Sequence, residues 1–126
     1  KLPIFRGNAA YPFLAPLDAP AAMAETTVLV LGGTGYVGQF VIQALIRRGT
    51  ARIHVAHRPG RDAAFLPETV QRHSADVTSA EGAAALLAEV RPDIVVNCAA
   101  MSALGACEKD PVGAEAANCP QQLVEA

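Results

Sequence analysis

Apolar runs that alternate with glycine-rich or proline-rich turns give the chain its clearest structural signal. The run at 27–31 is continuous, contains β-branched residues and leads straight into glycines, which is typical of a strand buried on both faces of a parallel sheet. A helical pattern follows up to Gly49, where glycine is a favourable helix terminator. The predicted buried face of this helix consists of Val37, Phe40, Val41, Ala44 and Leu45. Gln39, Gln43 and Arg47 lie four apart on its predicted polar face.

The rest of the pattern predicts further alternation of strands and helices. Strands are predicted at 52–56, 69–75 and 93–100. Thr78 and Glu81 form a capping-box pattern ahead of a helix that ends near Val90. A last helix is predicted over 110–126, with a kink at Pro120.

The predicted order of elements is β-α-β-α-β-α-β-α, in which the second helix falls in the turn-rich stretch between the second and third strands. Strands and helices that alternate in this way form a parallel sheet with helices on both of its faces. The sequence therefore predicts an α/β fold. It is the N-terminal half of a Rossmann-type doubly wound parallel sheet with strand order 3-2-1-4.

The first part of the chain differs in composition from the rest. Proline recurs among alanines and isolated aromatic residues, without helical or strand periodicity. Because proline fixes φ and lacks an amide donor, residues 1–25 are predicted to form a Pro/Ala-rich irregular arm. The arm is interpreted as the remainder of a targeting peptide, a docking arm or an added feature of the chain. Residues 26–126 are predicted to form the Rossmann domain, in truncated form.

Composition and charge exclude several classes of function. The 126 residues are 52% hydrophobic with a formal net charge of −2, which indicates a globular protein and gives no electrostatic basis for binding nucleic acid or an anionic membrane. No apolar run is long enough to span a membrane, and no metal site is predicted. Cys98, Cys107 and Cys119 form no CxxC pair and leave one thiol over in any disulfide scheme. This predicts a reducing intracellular compartment, cytoplasmic or organellar, rather than secretion.

The first strand leads into three glycines spaced as GxxGxxG at the start of the first helix. Gly32 permits a tight turn, Gly35 lets the backbone approach a pyrophosphate, and Gly38 lets the helix lie close to the strand. The helix N-terminus offers free N–H groups and the positive end of its dipole to phosphate oxygens. We therefore expect this turn to hold the pyrophosphate of a nicotinamide dinucleotide, the alternative being a tight turn that binds nothing. The predicted cofactor-binding residues of the turn are Gly32, Thr34, Gly35, Tyr36, Val37 and Gly38.

The end of the second strand predicts which dinucleotide is bound. An acidic residue there accepts a hydrogen bond from the ribose 2′-hydroxyl of NAD, whereas an arginine accommodates the 2′-phosphate of NADP. Arg58 stands 20 positions after Gly38, and no Asp or Glu lies between Gly38 and Asp62. The sequence therefore favours NADP, with NAD as the alternative and Arg61 as a second candidate contact. An ordinary surface arginine is the other interpretation of Arg58.

Two further strand ends are expected to line the same site, because ligands of such sheets bind outside the carboxyl ends of the strands. Asp76 and Val77 follow the third strand, and Asp76 is a candidate contact for the edge of the adenine or else part of the turn into the next helix. Ala99 and Ala100 end the fourth strand, where small residues leave room for the cofactor and Asn97 is a candidate for fixing the local backbone.

Several of these segments together resemble the extended short-chain dehydrogenases/reductases. They are the glycine turn, Asp76-Val77, Val96-Asn97-Cys98-Ala99-Ala100, Cys107-Glu108-Lys109-Asp110-Pro111 and Ala117-Asn118. Within that family the chain is most similar to the dTDP-4-dehydrorhamnose reductase-like branch, which includes the non-catalytic regulatory β subunit of methionine adenosyltransferase. The resemblance covers residues 26–126 and leaves out the arm.

The resemblance implies a cofactor site and a reaction. Beyond the glycine turn, it implies NAD(P) contacts at Arg58, Asp76, Val77, Ala99, Ala100, Met101 and Asn118. It places Asn118 where a helix asparagine supports the family's active site, the alternative being a helix-surface residue. It also implies that hydride passes from the nicotinamide to the keto group of a substrate that resembles a nucleotide-linked 4-keto sugar.

The catalytic groups that the resemblance implies are a Ser or Thr together with Tyr and Lys in YxxxK, where the tyrosine protonates the carbonyl oxygen. Tyr11 and Tyr36 are the only tyrosines, and Lys1 and Lys109 are the only lysines, so the sequence contains no YxxxK. No catalytic residue is therefore assigned, and Ser102 is interpreted as a loop serine. By resemblance, the missing groups would follow the last residue of this sequence.

The fourth predicted strand has an apolar edge that further polypeptide would have to cover. It is apolar and carries no charged residue after Asp93, which is typical of a central strand. If the chain stops at Ala126, nothing in it pairs with the far side of this strand, and an exposed apolar edge favours aggregation. We therefore expect the rest of a longer protein or a neighbouring subunit to cover it.

Three functions are compatible with the sequence. One is an NADP-dependent reductase of which this chain is the cofactor-binding part. Another is a non-catalytic regulatory or structural subunit that binds NADP within a larger assembly. A third is an assembly subunit that binds through its arm and has only a vestigial cofactor pocket. Fold-level analogy does not decide between them.

Overall fold

The computed structural model describes residues 26–125, so the arm predicted for residues 1–25 lies outside the described part of the chain. The strands are β1 (Thr26–Leu31), β2 (Ala51–His57), β3 (Gln71–Ser74) and β4 (Ile94–Asn97). The helices are α1 (Tyr36–Arg48), α2 (Ala80–Val90), α3 (Leu104–Lys109), α4 (Pro111–Asn118) and α5 (Gln122–Glu125).

The strands form one parallel sheet in the order β3-β2-β1-β4. This confirms the predicted α/β class, the Rossmann-type sheet and its strand order. Leu31 of β1 is level with Ala56 of β2 and with Asn97 of β4. The glycine turn and the loops after β2 and β4 therefore leave the sheet side by side at its carboxyl edge.

Alternate residues of β1 face two separate cores, because successive side chains of a strand point to opposite faces. Val28 and Val30 pack with Ile42 of α1. Leu29 and Leu31 pack on the other side with residues of α2. Helices therefore cover both faces of the sheet, as the doubly wound arrangement requires.

The buried face of α1 agrees only in part with the prediction: Val41 and Leu45 pack against the core as predicted, but Ala44 is exposed. Ile42 and Gln39 are buried, whereas Val37 is 59% exposed and Phe40 is 36% exposed. The cause is the close approach of Gly38 to the glycine turn, because this contact fixes the rotation of the helix about its axis. The predicted burial of Val37 and Phe40 is wrong, and so is the predicted exposure of Gln39.

The stretch between β2 and β3 forms turns rather than the predicted helix. Pro59 and Pro67 interrupt any helical hydrogen-bond ladder there. The stretch is anchored by Leu66, which is buried in the core on the α1 side. The Arg72 guanidinium donates a hydrogen bond of 2.6 Å to the Leu66 carbonyl oxygen.

The start of α2 also differs from the prediction. Ser79 caps the helix, and its hydroxyl oxygen accepts a hydrogen bond of 3.0 Å from the Gly82 N–H group. Thr78 instead donates from its hydroxyl to the Asp76 carboxylate at 2.6 Å. The predicted capping box of Thr78 and Glu81 does not form, because the Thr78 hydroxyl is engaged with Asp76.

The C-terminal helical region is shorter and more divided than predicted. α4 ends at Asn118, and a separate short helix, α5, begins at Gln122. Pro120 has no N–H group with which to continue the ladder, so it separates two helices rather than kinking one. α3 is a helix that the sequence pattern did not predict, and the predicted strand 93–100 ends at Asn97.

Two histidines and a carboxylate connect β2, β3 and α2. The Nδ1 atom of His54 lies 2.9 Å from Nε2 of His73, and Nδ1 of His73 lies 3.1 Å from the Glu89 carboxylate. A His73 that carries its proton on Nδ1 donates to Glu89 and accepts from His54. Burial lowers the pKa of His54, the charges of His73 and Arg52 lower it further, and Glu89 raises it. The folded state therefore favours neutral His54.

The free energy of unfolding should fall as the pH is lowered through the ordinary titration range of histidine, near pH 6.5. Because the pKa of His54 is lower in the folded chain, the unfolded chain binds this proton at a higher pH. The stabilising contribution is thus present above that range and is lost below it. Urea denaturation at a series of pH values measures how steeply the free energy of unfolding changes with pH. His54→Leu should flatten this slope, whereas His57→Leu on the same strand should keep it, and an unchanged slope in His54→Leu would contradict the assignment.

Candidate functional site

The glycine turn connects the carboxyl end of β1 to the N-terminus of α1 and is hydrogen-bonded to the neighbouring strand. The Gly32 N–H group donates to the Ala56 carbonyl oxygen of β2 at 3.0 Å, and the Gly35 N–H group donates to the Gly32 carbonyl oxygen at 2.9 Å. Gly32 has a φ of +69°, a left-handed conformation that favours glycine. The tight turn predicted at Gly32 is therefore present.

The turn leaves no room for side chains on its inner side. A Cβ atom at Gly38 would lie 2.5 Å from the Gly32 carbonyl oxygen and 2.7 Å from Gly33 Cα. A Cβ atom at Gly32 would lie 2.7 Å from the backbone of Ala99, in the loop after β4. The turn is thus in direct backbone contact with α1 and with that loop, which keeps three candidate segments together.

Gly33 shows a requirement that the spacing pattern did not include. A Cβ atom there would collide with the side chain of Val55 and would lie 2.9 Å from Ile42 Cδ1. Gly33 is therefore needed for packing of the core on the α1 side. The signal in the sequence was the doubled glycine directly after a buried strand.

The outer side of the turn is open and suits an anion. Gly35 is the N-cap of α1, has no side chain and leaves the first turn without a side-chain cap. Gly35, Tyr36 and Val37 are exposed there. The N–H groups of a first helical turn have no partner within the helix, and the helix dipole favours negative charge at this end. The geometry therefore fits a pyrophosphate on the outer side of the turn.

Gln39 supports the turn from beneath, a role that the sequence analysis missed. Its side chain is buried, and Nε2 donates a hydrogen bond of 3.2 Å to the Thr34 carbonyl oxygen. Its Oε1 atom is also buried and has no hydrogen-bond partner among the described residues. The available signal was a polar residue directly after the third glycine, where the chain has to stay close to the sheet.

Arg58 and Asp76 follow the carboxyl ends of neighbouring strands, because His57 of β2 is level with Ser74 of β3. Asp76 follows β3, and its Oδ1 atom accepts hydrogen bonds from the hydroxyl and the N–H group of Thr78. These two bonds lower the pKa of Asp76, and the charge of Arg58 lowers it further. The carboxylate is therefore ionised at neutral pH and lies within electrostatic reach of the arginine.

The loop after β4 is held by asparagine side chains. Asn97 Oδ1 accepts a hydrogen bond of 3.0 Å from the Ala99 N–H group, which fixes the local backbone as expected. Asn118 Oδ1 accepts from the Met101 N–H group at 2.7 Å, while Asn118 Nδ2 donates to the Met101 carbonyl oxygen at 3.1 Å. Asn118 thus secures the end of this loop from α4.

Other candidates occupy less central positions. Ser102 is exposed in the loop before α3, as a loop serine would be. Val77 is half-buried, packs against the core on the α2 side, and its carbonyl oxygen accepts a hydrogen bond from Gln122. Burial raises the pKa of the Cys98 thiol, which is consistent with an unreactive cysteine.

Two further observations concern residues 26–125. No group of three or more His, Cys, Asp or Glu side chains in this part of the chain is arranged to hold a metal ion. None of its helices is both long enough and apolar enough to cross a membrane.

Comparison with known proteins gives a family. The sequence model of the NAD dependent epimerase/dehydratase family matches residues 28–126. The match begins within β1 and includes the glycine turn, the loop after β4 and every helix that the structure describes.

Two curated relatives are reductases by name. The "Probable low-salt glycan biosynthesis reductase Agl14" of Haloferax volcanii is 33% identical over 91 residues, which cover 71% of this chain and 28% of the relative. The chloroplastic divinyl chlorophyllide a 8-vinyl-reductase of Zea mays is 40% identical over 100 residues, which cover 73% of this chain and 23% of the relative. The chain therefore spans about a quarter of the length of these relatives.

A solved structure shows the same fold. The UDP-glucose 4-epimerase of Thermus thermophilus, in complex with NAD, is 27% identical and superposes with a TM-score of 0.71. The superposition covers 79% of this chain and 33% of the epimerase chain.

Replacing Gly38 by alanine should destabilise the fold and weaken dinucleotide binding. The added Cβ would meet backbone atoms at 2.5 Å and 2.7 Å, which no rotamer change can relieve. Overpacking of this kind costs about 1–3 kcal/mol of unfolding free energy. Gly105→Ala in α3 is the matched control, because nothing lies within 4 Å of the new Cβ. Chemical denaturation and dinucleotide titration of both variants test this; equal effects would show that the close approach does not matter.

Proposed function

Since the chain belongs to the NAD dependent epimerase/dehydratase family, we propose that it is the NADP-binding part of a reductase that transfers hydride to a keto group. The observation that carries this proposal is the glycine turn at the N-terminus of α1. Arg58 and Asp76 follow the ends of the neighbouring strands β2 and β3 at the same edge of the sheet. We further propose that residues 26–126 are the NAD(P)-binding domain and that residues 1–25 precede it as an arm.

Each candidate residue has a separate task in this proposal. The N–H groups of Tyr36 and Val37, in the first turn of α1, hold the pyrophosphate. Arg58 binds the 2′-phosphate of the adenosine ribose, and Asp76 lies at the edge of the adenine. Small side chains such as Ala99 leave room for the cofactor beside the glycine turn. The complete proposed set is Gly32, Thr34, Gly35, Tyr36, Val37, Gly38, Arg58, Asp76, Val77, Ala99, Ala100, Met101 and Asn118.

Preference for NADP over NAD depends on charge at the end of β2. Arg58 is exposed directly after that strand, and the segment between Gly38 and Asp62 contains no carboxylate to accept from a ribose 2′-hydroxyl. Arginine suits a phosphate because its planar guanidinium donates two parallel hydrogen bonds.

The substrate class is proposed from similarity alone. A reduced nicotinamide supplies a hydride for a carbonyl carbon. Both relatives described above are named as reductases, and the solved structure is of an enzyme of UDP-glucose. Together with the likeness to dTDP-4-dehydrorhamnose reductases, this favours a nucleotide-linked keto sugar as the substrate of the whole protein. The chain itself contains no YxxxK, so no residue of it is assigned to proton transfer.

A second candidate function is a non-catalytic, NADP-binding regulatory or structural subunit. The observation that favours it is the outer edge of β4, where Ile94 is 50% exposed and Val95 is 42% exposed. An apolar strand edge of this kind calls for covering polypeptide, from the same chain or from a partner. A mass of 13.0 kDa for the protein isolated from its source would contradict the reductase, because these 126 residues contain no YxxxK. A larger mass, with YxxxK in the additional chain, would favour the reductase.

The protein should bind NADPH more tightly than NADH, and Arg58→Ala should remove most of that difference. A hydrogen bond to a charged group contributes about 1.5–3 kcal/mol, so the loss in NADPH affinity should be about tenfold or more. NADH affinity should change little. Arg48→Ala is the control for loss of a surface arginine, because Arg48 lies in the last turn of α1, at the end away from the glycine turn. Calorimetric titration with NADPH and with NADH measures the ratio of the two affinities. An unchanged ratio in Arg58→Ala would refute the assignment of Arg58 to the 2′-phosphate.

A further inference from the structure

The segment after α4 folds back onto the loop that follows β3. Leu123 of α5 packs against the same α2-side core as Ala75 and Val77 of that loop. The neighbouring Gln122 donates a half-buried hydrogen bond of 2.9 Å from Nε2 to the Val77 carbonyl oxygen, across 45 positions of sequence. We propose that Gln122 is a positioning residue that fixes this loop for the adenine end of the cofactor. This inference rests on the proposed function.

One peptide plane connects Gln122 to the candidate adenine contact. The carbonyl group of Val77 and the N–H group of Thr78 belong to the same peptide unit, which is planar and rigid. Gln122 binds the carbonyl end of that plane, and the Asp76 carboxylate accepts from the N–H end at 3.0 Å. The Gln122 bond therefore restricts rotation of the plane, and with it the position of the Asp76 carboxylate.

The remainder of the loop is already held from the sheet and from α2. The Ala75 N–H group donates to the His57 carbonyl oxygen at 3.0 Å. Gly82 of α2 lies so close to the Asp76 carbonyl oxygen that a Cβ atom there would collide with it. These contacts fix the loop on either side of Asp76 but not the carbonyl of Val77. Gln122 of α5 supplies the hydrogen bond to the Val77 carbonyl oxygen.

Asn118 performs a parallel task on a different loop. Its amide binds both backbone polar groups of Met101, which follows β4 rather than β3. Gln122 and Asn118 lie only four positions apart in sequence. Loss of the Gln122 bond should therefore affect the adenine end selectively and leave the loop after β4 in place.

Isosteric variants separate this role from simple packing of α5. Gln122→Glu keeps the length of the side chain but at neutral pH directs a carboxylate at a carbonyl oxygen and has no donor. Gln122→Met keeps the packing and also removes the donor. Gln121→Glu is the matched control, because Gln121 is the immediate neighbour of Gln122 and its side chain is exposed.

Titrations of the full chain with AMP and with nicotinamide mononucleotide, followed by NMR, test the proposal. Loss of one net hydrogen bond corresponds to about a fivefold to tenfold loss in affinity. We expect Gln122→Glu and Gln122→Met to weaken AMP binding by that factor, with little change in binding of the nicotinamide mononucleotide. Gln121→Glu should match the unsubstituted protein for both ligands. In the absence of ligand, the Thr78 amide should exchange faster in both Gln122 variants.

The outcomes distinguish the inference from the function on which it rests. Unsubstituted protein that binds neither AMP nor NADPH would overturn the proposed function, and the inference with it. Unsubstituted protein that binds AMP, together with Gln122 variants of unchanged AMP affinity, would overturn the inference alone. Equal losses for both ligands would also overturn it, because they would indicate a general structural role for Gln122.

Discussion

Contacts between backbones that leave no space for a Cβ atom hold the candidate site together. At Gly32 the neighbour is the backbone of Ala99, and at Gly38 it is the glycine turn itself. Because backbone atoms cannot move aside as a flexible side chain can, these contacts fix the distance from α1 to the end of β1. They also fix the rotation of α1, which is why Gln39 is buried and Val37 is exposed. The position of the helix N-terminus, on which the proposed phosphate binding depends, follows from this constraint.

Amide side chains then position the loops around the turn. Gln39 holds the carbonyl of the turn, Asn97 and Asn118 hold the loop after β4, and Gln122 holds the loop after β3. Each bonds to a backbone polar group that a loop cannot satisfy within a helix or a strand. An amide can donate and accept without the desolvation cost of a buried charge. These bonds hold the loops in place, while the charged groups Arg58 and Asp76 are exposed at the surface.

Sequence reasoning captured the features that depend on local pattern. The apolar run of β1 and the glycine spacing predicted the place of the turn, and the alternation of strand and helix patterns predicted the parallel sheet and its strand order. Sequence patterns failed where a contact with another segment or a competing hydrogen bond decides. The role of Gln122 depends on a residue 45 positions away. The helix rotation depends on Gly38 meeting Gly32, so periodicity alone assigned Gln39 to the wrong face. The prediction assigned the N-cap of α2 to Thr78 instead of Ser79, because both residues carry a hydroxyl that can cap a helix and they are adjacent in sequence.

We propose above all that the N–H groups at the start of α1 bind the pyrophosphate of a nicotinamide dinucleotide. Titration of the 15N-labelled chain with NADPH tests it most directly through the backbone amide signals of Tyr36, Val37 and Gly38. We expect saturable shifts of these signals and of the signals from the loops that carry Arg58 and Asp76. Amide signals that stay unchanged with both NADPH and NADH at millimolar concentration would contradict it.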